Sequence, residues 1–419
     1  MKMKILLIGF NVQQDIFPLG LSYLKAYAKK FYPGLDIRIK EFGFGHRFSY
    51  DINKNIELAA ISYILMQKPD LIAFSCYIWG SEAIKEICKT IKKINPKIKI
   101  MLGGADINEK SINEYIDFII SGEGEIAFKE IIGHLNGKIK IEEIRNIIYK
   151  KDNKIIKNQE TQIENLDEIP FPYSVAEKKE YAAVRIETSR GCPFGCKYCL
   201  YAKMAKVRNF SIDYLDKNIG VLFSKFKFRN LTILDANLNL DKERMKQILE
   251  IIDKNAKTYD KITVNLELKP ELIDKECVKI MENCSFRISI ELGLQSTNKE
   301  VLKEANRPYD LEKVKQALRL LDNSKIKYKI DLMYGLPKDN FFKFLNSTRF
   351  ILNNAKKQNS ISAHHFMLLN NTKFYHENSA QRLSEDNSSM VIKTNSQNVL
   401  DLYKTKLFVE MINEELKLS

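Results

Sequence analysis

Short apolar runs alternate with amphipathic segments through the first 150 residues. The runs predict strands, which are 4–9, 36–42, 71–75, 98–104 and a segment that starts at Asp117. Strands that are apolar throughout and separated by crossover helices indicate a parallel sheet covered on both faces. We therefore predict a doubly wound α/β domain over residues 1–150, with ligands bound at the carboxyl ends of its strands.

The alternation stops at residues 151–180, where polar turns and prolines predict a linker. From residue 181 it resumes, and six further strands are predicted at 184–188, 231–235, 262–267, 286–291, 327–333 and 361–366. Six βα repeats predict a partial (βα)6 barrel over residues 181–379, with its chemistry at the C-terminal ends of the strands. Residues 380–419 are predicted to form a tail that begins polar and ends in an amphipathic helix.

Composition and charge narrow the class of protein. The 419-residue chain has a formal net charge of +14, but its lysines are mixed with Glu and Asp, and no basic block with interleaved aromatics stands out. This pattern predicts a solvated basic surface and argues against a nucleic-acid partner. No stretch approaches the roughly 18 apolar residues of a membrane span, and the apolar N-terminus lacks a cleavage site. We therefore expect a cytoplasmic protein without a membrane partner.

Three of the seven cysteines, Cys192, Cys196 and Cys199, follow the first barrel strand with CxxxCxxC spacing. Three thiolates can bind three irons of a 4Fe–4S cluster and leave the fourth iron open to an exogenous ligand, whereas a structural zinc site needs four protein ligands. The alternative is a zinc loop that borrows a distant ligand such as Cys277, Cys284 or a histidine. That alternative would suit a zinc-stabilised nucleic-acid-binding protein.

The CxxxCxxC loop resembles that of the radical S-adenosylmethionine (SAM) enzymes, and the resemblance continues in LTILDANLN, ISIELGLQSTNKEVL, NRPYD and DLMYGLP. Residues 1–150 resemble the Rossmann-like cobalamin-binding domain that precedes the barrel in one branch of that family, in PLGLSYL, PDLIAFS, IMLGGAD and DFIISGEGE. LDEIPFP resembles the joint between the two domains. The resemblance implies three cofactors, namely a 4Fe–4S cluster, SAM and cobalamin.

The resemblance also implies an activity. A 5′-deoxyadenosyl radical would abstract hydrogen from an unactivated carbon, and methylcobalamin would donate a methyl group to that carbon, so that the protein is a C-methyltransferase. The alternative keeps both cofactors and performs a cyclisation, a rearrangement or an oxidation. The expected partners are a small-molecule or peptide substrate and an electron donor such as flavodoxin or ferredoxin, and the expected oligomeric state is a monomer.

The matched motifs imply which residues contact the cluster and SAM. Cys192, Cys196 and Cys199 are the implied cluster ligands. The implied SAM contacts are Tyr198, Gly335, Leu336 and Pro337 for the adenine, Asp235, Ala236 and Asn237 for the amino group, Glu291 and Gln295 for ribose or methionine oxygens, and Arg307 for the carboxylate. The Asp235–Asn237 segment departs from the Gly-Gly-Glu that is common in the family. A hydrogen-bond network at the barrel mouth is the alternative for Glu291 and Gln295, and a surface salt bridge is the alternative for Arg307.

In the first domain, the loops after the strands are the implied cobalamin contacts. They contribute Asn11, Phe17, Leu19, Gly20, Ser75, Tyr77, Gly103, Gly104, Gly122, Glu123 and Gly124. Phe17 stands where one group of cobalamin proteins has the histidine that ligates cobalt, so we predict cobalamin with its own base displaced and no protein nitrogen below the metal. His46 and His134 are the domain's histidines, and neither is placed for that role. Trp79 is predicted to be a core residue, with a position over the corrin as the alternative.

Overall fold

The structure is a computed structural model that describes residues 3–418, except 13–14, 44–49, 258, 260, 358–360 and 384–388. The chain divides into two compact units, Met1–Lys179 and Glu180–Ser419. Each unit is built on its own β-sheet. None of the helices in the described ranges is long and apolar enough to cross a membrane.

The first unit alternates strands and helices along the chain. Its strands are β1 (Lys4–Asn11), β2 (Asp36–Gly43), β3 (Leu71–Ser75), β4 (Lys99–Gly103), β5 (Phe118–Ile120), β6 (Ile147–Lys151) and β7 (Lys154–Lys157). Its helices are α1 (Leu19–Phe31), α2 (Tyr50–Gln67), α3 (Ser81–Ile94) and α4 (Gly124–Leu135). The spatial order of the strands is β2-β1-β3-β4-β5-β6-β7, and β1 to β5 are parallel.

Apolar residues on successive positions of the central strands enter two separate cores. Ile8 of β1 packs in the core that contains residues of α3, and Leu7 packs in the core that contains residues of α1 and α4. A strand buried on both faces requires the near-continuous apolar run seen in the sequence. The predicted doubly wound domain is therefore confirmed.

Two antiparallel strands complete this sheet beyond β5. β6 pairs with β5, and β7 pairs with β6 through a two-residue turn at Asp152 and Asn153, both of which have positive φ. That turn geometry matches the twist of a hairpin and suits Asp and Asn. Residues 154–157 lie in the predicted linker, but the hairpin turn makes them an edge strand of the first unit.

The second unit repeats the strand–helix alternation. Its strands are β8 (Ala183–Ile186), β9 (Ser189–Arg190), β10 (Arg208–Asn209), β11 (Asn230–Ile233), β12 (Thr263–Leu268), β13 (Arg287–Gln295), β14 (Lys327–Tyr334), β15 (Ser362–His365), β16 (Ala380–Arg382) and β17 (Val391–Thr394). Its helices are α5 (Ile212–Lys225), α6 (Lys242–Ala256), α7 (Lys275–Glu282), α8 (Lys299–Glu304), α9 (Leu311–Asp322), α10 (Phe341–Asn354), α11 (Lys373–His376) and α12 (Val399–Leu418).

The main sheet of the second unit is parallel, in the order β8-β11-β12-β13-β14-β15. Its spatial order follows the chain order, so right-handed crossovers place the connecting helices on one face and leave the other as an inner face. The predicted partial (βα)6 barrel is confirmed by this arrangement. The tail differs from its prediction, because β16 and β17 pair as an antiparallel hairpin before α12.

Side-chain caps fix where the helices of this unit begin. The caps accept backbone N–H groups of the first helical turn, and they are Ser211, Asp241, Asp274, Asn298, Asp310 and Asn340 for α5 to α10. Caps of this kind contribute about 1 kcal/mol each. They fix the ends of the loops that follow the strands, where the predicted site lies.

Candidate active site

The predicted cluster ligands lie on a loop that is closed at its base. This cysteine loop, residues 191–207, runs between the paired strands β9 and β10. The N–H of Cys192 donates to the Met204 carbonyl at 2.8 Å. Gly191 has a φ of +104°, and a Cβ at this position would overlap the Lys206 carbonyl. The approach of the two ends therefore requires glycine.

Contacts from two other segments hold the middle of the cysteine loop. The N–H of Lys197 donates to the Ala305 carbonyl at 3.0 Å, and Asn306 Nδ2 donates to the Gly195 carbonyl at 2.8 Å. The N–H of Phe374 donates to the Lys197 carbonyl at 3.1 Å. The loop is therefore fixed by the backbone on both sides, which preorganises the sulfur positions.

Two polar side chains face the thiols. Asn237 Nδ2 lies 3.5 Å from Cys192 Sγ, and Arg307 Nη1 lies 3.4 Å from Cys196 Sγ. Burial raises the pKa of the Cys192 thiol and raises that of Cys199 to about 11. Metals bind thiolates, so a metal bound at this loop would displace the thiol protons. The Arg307 cation would then offset negative charge on the thiolates.

The thiols are not arranged around a single ion. Within the described part of the chain, no three His, Cys, Asp or Glu side chains are grouped so as to hold one metal ion. A four-iron cluster gives each thiolate its own iron, so its ligands need not converge on one point. Cys277 is fully buried in α7, and Cys284 Sγ contacts the Ile280 carbonyl at 3.6 Å, so neither supplies the fourth ligand of the zinc alternative.

Asp235 uses its carboxylate to hold the strand end that precedes the cysteine loop. It is 4% exposed and accepts the N–H and the hydroxyl of Thr188 at 2.7 and 2.5 Å and the Ser189 hydroxyl at 2.6 Å. Burial raises its pKa, while these hydrogen bonds act in the opposite direction. The predicted amino-group segment, Asp235–Asn237, thus has a structural carboxylate at Asp235 and a side chain beside a thiol at Asn237.

Unpaired polar atoms mark the mouth of the barrel. Gln295 Oε1 and Arg307 Nε are buried and have no hydrogen-bond partner among the described residues. Arg307 Nη2 donates to the Gly293 carbonyl at 2.6 Å, and a bulge between Gly293 and Gln295 turns the end of β13. A Cβ on Gly293 would lie 2.8 Å from Gln295 Nε2. Buried polar atoms without partners normally indicate a missing ligand or water.

The remaining predicted SAM residues fall into two places. Tyr198 is half-buried and lies next to Cys196. Burial raises the pKa of its phenol, and the nearby Cys196 adds to this shift. Gly335, Leu336 and Pro337 are buried, and a Cβ on Gly335 would lie 2.9 Å from Leu402 of α12. The structure therefore places Tyr198 beside the thiols and packs the Gly335–Pro337 turn against the C-terminal helix.

Glu291 lies on the inner face of the sheet and takes part in a charged network. Lys329 Nζ lies 3.6 Å from Glu291 and 3.1 Å from Asp331. The hydrogen bond to Asp331 raises the pKa of Glu291 to about 7. Burial acts to raise the pKa of Asp331, but hydrogen bonds from His364, Glu291 and Ser362 hold it below its usual range. The contact of Glu291 with SAM stays a prediction.

Sequence reasoning missed Lys269, which follows β12. It is 6% exposed, its Nζ pairs with Glu271, and the same Nζ lies 3.9 Å from the ring centroid of Phe194 in the cysteine loop. Asn239 locks the Lys269 backbone through two hydrogen bonds of 2.9 Å. Lysine directly after a barrel strand was the available signal, because such positions point to the mouth.

In the first unit, small residues line one row of the sheet near the carboxyl ends of the strands. Gly9, Ser75 and Gly103 are register partners on β1, β3 and β4. Helices α1, α3 and α4 begin at this edge without a side-chain cap hydrogen bond in the described structure. Helix starts of this kind present backbone N–H groups that suit an anionic ligand group.

The predicted cobalamin residues differ in what they contact. Gly104 has a φ of +115° and lies against the Cys76 backbone, so its glycine is required by loop packing. Glu123 accepts the N–H of Ile163 at 2.9 Å. A Cβ on Gly20 or Gly122 would meet no atom within 4 Å.

Other side chains of the first loop also have contacts within the protein. Asn11 Nδ2 donates to Glu41 Oε1. Phe17 is 2% exposed, and its ring stacks on Tyr173 at a centroid distance of 3.8 Å. Leu19 is buried at the start of α1. The side chains of Asn11, Phe17 and Leu19 are therefore engaged within the protein.

Trp79 is not the core residue that was predicted. It is 38% exposed, stacks on Tyr77 at a centroid distance of 4.7 Å, and donates from Nε1 to the Phe10 carbonyl at 2.6 Å. A bound indole N–H and a neighbouring ring allow the large side chain to stay at the surface after β3. The ring pair presents a flat apolar surface near the open end of the sheet.

Comparison with sequence families matches both units. The B12 binding domain matches residues 5–132, and the radical SAM superfamily matches residues 186–351. The chain is a radical SAM protein with a B12-binding domain. The radical SAM domain implies a 4Fe–4S cluster and SAM, and the B12-binding domain implies cobalamin. The three free thiols of the cysteine loop and the unpaired atoms of Gln295 and Arg307 fit the cluster and SAM. The small-residue row with uncapped helix starts fits cobalamin.

Curated relatives cover most of the chain at low identity. The chain is 23% identical over 367 residues to the cobalamin-dependent radical SAM methyltransferase TokK of Streptomyces tokunonensis, covering 80% of this chain and 51% of that protein. It is 22% identical over 390 residues to the 2-(S-pantetheinyl)-carbapenam-3-carboxylate methyltransferase of Streptantibioticus cattleyicolor, covering 88% and 56%. The radical SAM protein thus spans about half the length of these relatives.

Solved structures share the fold. The radical SAM methyltransferase TsrM from Kitasatospora setae, with tryptophan and a SAM analogue bound, aligns with a TM-score of 0.68 and 14% identity over 90% of this chain and 77% of that chain. The apo form of OxsB, a cobalamin-dependent radical enzyme, aligns with a TM-score of 0.72 and 16% identity over 98% and 66%. At this identity the likeness supports the two-domain fold of the radical SAM protein.

Proposed function

We propose that the protein is a cobalamin-dependent radical SAM C-methyltransferase. The observation that carries the proposal is a B12-binding domain followed by a radical SAM domain with three free cysteines on one loop. The methyltransferase names of the two curated relatives described above support it. All seven cysteines are described and free, which suits the reducing cytoplasm, the proposed location.

The residues of the second unit support cluster and SAM binding. Cys192, Cys196 and Cys199 would hold the cluster, which together with SAM and methylcobalamin supplies the radical and the methyl group when bound. Arg307 and Asn237 would stabilise the thiolates by donating to them. The unpaired Gln295 Oε1 and Arg307 Nε would bind polar atoms of SAM.

The inner face of the sheet supports a polar substrate site. Glu267 and Glu291 are register partners on β12 and β13, and Lys329 is the partner of Glu291 on β14. These charges lie on the face that the helices leave uncovered, below the mouth where radical chemistry starts. We propose a small-molecule or peptide substrate held by these charges, and flavodoxin or ferredoxin as electron donor.

The test is product analysis under reducing, anaerobic conditions. The reconstituted protein, incubated with SAM, hydroxocobalamin and dithionite, should form 5′-deoxyadenosine, S-adenosylhomocysteine and methylcobalamin. Cys196→Ala should abolish 5′-deoxyadenosine formation, because one iron loses its ligand. Cys277→Ala is the matched control and should retain it, because Cys277 is buried in the helical layer.

Two outcomes would contradict the proposal. Formation of 5′-deoxyadenosine without S-adenosylhomocysteine or methylcobalamin would favour cyclisation, rearrangement or oxidation without methyl transfer. Full 5′-deoxyadenosine formation by Cys196→Ala would overturn the assignment of the cluster ligands.

A further inference from the structure

Lys269 is a buried cation at the mouth of the barrel. It directly follows β12, and its side chain is 8% exposed. Asn239 donates from Nδ2 to the Lys269 carbonyl and accepts the Lys269 N–H, both at 2.9 Å. The ammonium group therefore extends from a backbone that is held in one position, which limits where its charge can lie.

The ammonium group of Lys269 lies between a carboxylate and an aromatic ring. Its Nζ pairs with Glu271, whose side chain is 10% exposed, and the same Nζ lies 3.9 Å from the ring centroid of Phe194. Phe194 stands between Cys192 and Cys196 in the cysteine loop. The cation is therefore placed against the loop that would hold the cluster.

Stability does not account for this ion pair. Taking an ammonium and a carboxylate out of water is unfavourable, and well-packed apolar side chains of similar size often stabilise a fold as well or better. Glu271 Oε2 is buried and has no hydrogen-bond partner among the described residues, so the pair is also incompletely satisfied. An electrostatic role at the cysteine loop accounts for a charge kept at this cost.

The two charges of the pair act on different groups. Burial raises the pKa of the Cys192 thiol, and the positive charges of Arg307 and Lys269 act in the opposite direction by favouring the thiolate. Burial also raises the pKa of Tyr309, and the negative charge of Glu271 adds to that shift. The positive end of the Lys269–Glu271 pair is therefore directed at the cysteine loop.

We propose that Lys269 sets the reduction potential of the 4Fe–4S cluster of this protein. Reduction adds one electron from the reductant, and a cation that is shielded from water stabilises the added negative charge more than a solvated cation does. The ammonium group therefore raises the potential, and the opposite charge of Glu271 limits the increase. In this role Lys269 acts through the cluster and is not itself a catalytic residue.

The proposal rests on the cluster that the radical SAM domain implies, and it does not depend on methyl transfer. It would apply equally if the radical led to a cyclisation, a rearrangement or an oxidation. Iron and sulfide analysis of each variant shows whether the cluster is present. A wrong assignment of the cluster is therefore distinguished from a wrong role for Lys269.

Redox titration of the reconstituted, SAM-free protein tests the proposal, with electron paramagnetic resonance of the reduced cluster as the readout. At the wild-type midpoint potential, the ratio of reduced to oxidised cluster should be about tenfold lower in Lys269→Met, which corresponds to 59 mV for a one-electron couple. Glu271→Gln keeps the size of the side chain and should raise the ratio, because it removes the charge that offsets the ammonium.

Lys254→Met is the matched control for the loss of one positive charge. Lys254 lies in the last turn of α6, at the end of the barrel away from the mouth, and its side chain is 70% exposed. Solvent and salt screen such a charge, so this variant should keep the wild-type ratio.

The signs of the two shifts distinguish an electrostatic role from a structural one. Either variant breaks the ion pair, so a structural role predicts shifts of the same sign or none. Shifts of the same sign, or a wild-type ratio in Lys269→Met, would overturn the proposal. If Lys269→Met loses its iron, Glu271→Gln decides, because a ratio no higher than that of the wild type would then overturn the proposal.

Discussion

Asp339 is a single residue whose burial determines its protonation state. It follows the Gly335–Pro337 turn, is 1% exposed, and accepts the N–H of Asn340 at 2.9 Å through Oδ1. Its Oδ2 has no hydrogen-bond partner in the described residues. Burial raises its pKa to about 7. An unpaired buried carboxylate is destabilising, so the protonated form is favoured in the folded protein.

We predict that Asp339 makes stability fall as pH rises. The unfolded chain loses this proton near pH 3.8 and the folded chain near pH 7, so the stabilising contribution is present below 3.8 and is lost as pH rises through 7. The free energy of unfolding of Asp339→Asn, relative to the wild type, should increase by up to about 4 kcal/mol from pH 4 to pH 8. Denaturant titrations across this range measure it, and a constant difference would contradict it.

At the scale of elements, the bulge in β13 redirects the side chain of Gln295, which a straight strand could not do. Gln295 has a φ of +67°, and the register with β14 shifts between Gly293 and Gln295. The shift turns the Gln295 amide toward Gly293 and Arg307 at the mouth. Bulges are frequent next to active sites because they redirect one side chain without changing the rest of the strand.

We predict that two Gly→Ala variants differ in their effect on SAM binding. Gly293→Ala should weaken SAM binding by about 1–3 kcal/mol, because its Cβ displaces Gln295 and Arg307. Gly220→Ala, within α5, should leave SAM binding unchanged and stabilise the protein by about 1 kcal/mol, since its Cβ meets only Asn255 at 3.6 Å. Calorimetric titration of the cluster-loaded protein with SAM measures both affinities, and denaturant titration measures the stability of Gly220→Ala. Equal SAM affinity of the two variants would exclude a role for the bulge.

For the whole molecule, the sequence predicted those elements whose burial requires an apolar composition. The parallel strands of both sheets were found because strands such as β3 are apolar along nearly their whole length. The hairpin of β6 and β7 was missed because Asp152 and Asn153 were interpreted as linker turns. Trp79 was placed in the core because its hydrogen bond to Phe10 joins residues far apart in the sequence. The same holds for Asp235, whose partners Thr188 and Ser189 lie 47 and 46 residues earlier in the chain.

The division into two units predicts that their cofactors load separately. The variant with Cys192, Cys196 and Cys199 all changed to Ala should lose iron and still bind cobalamin. Its Co(II) electron paramagnetic resonance should show no three-line nitrogen splitting. The first loop offers Phe17, stacked on Tyr173, in place of a histidine, and His134 Nδ1 lies 2.9 Å from the Ile139 carbonyl at the far end of α4.

His46 lies outside the described residues, so a mutation tests whether it ligates cobalt. A nitrogen splitting that disappears in His46→Ala or His134→Ala would show that a protein ligand binds the cobalt. Loss of cobalamin together with iron in the triple cysteine variant would contradict separate loading.

The hairpin that ends the first sheet also affects solubility. β7 is a sheet edge, and its sequence KIIK exposes Ile155 between two lysines. The opposite edge, β2, carries Arg38 and Lys40. Cations at an edge oppose the addition of a strand from another molecule, which is how natural sheets avoid aggregation. Part of the excess positive charge of this chain therefore lies on the two edges of the first sheet, where it opposes edge-to-edge association.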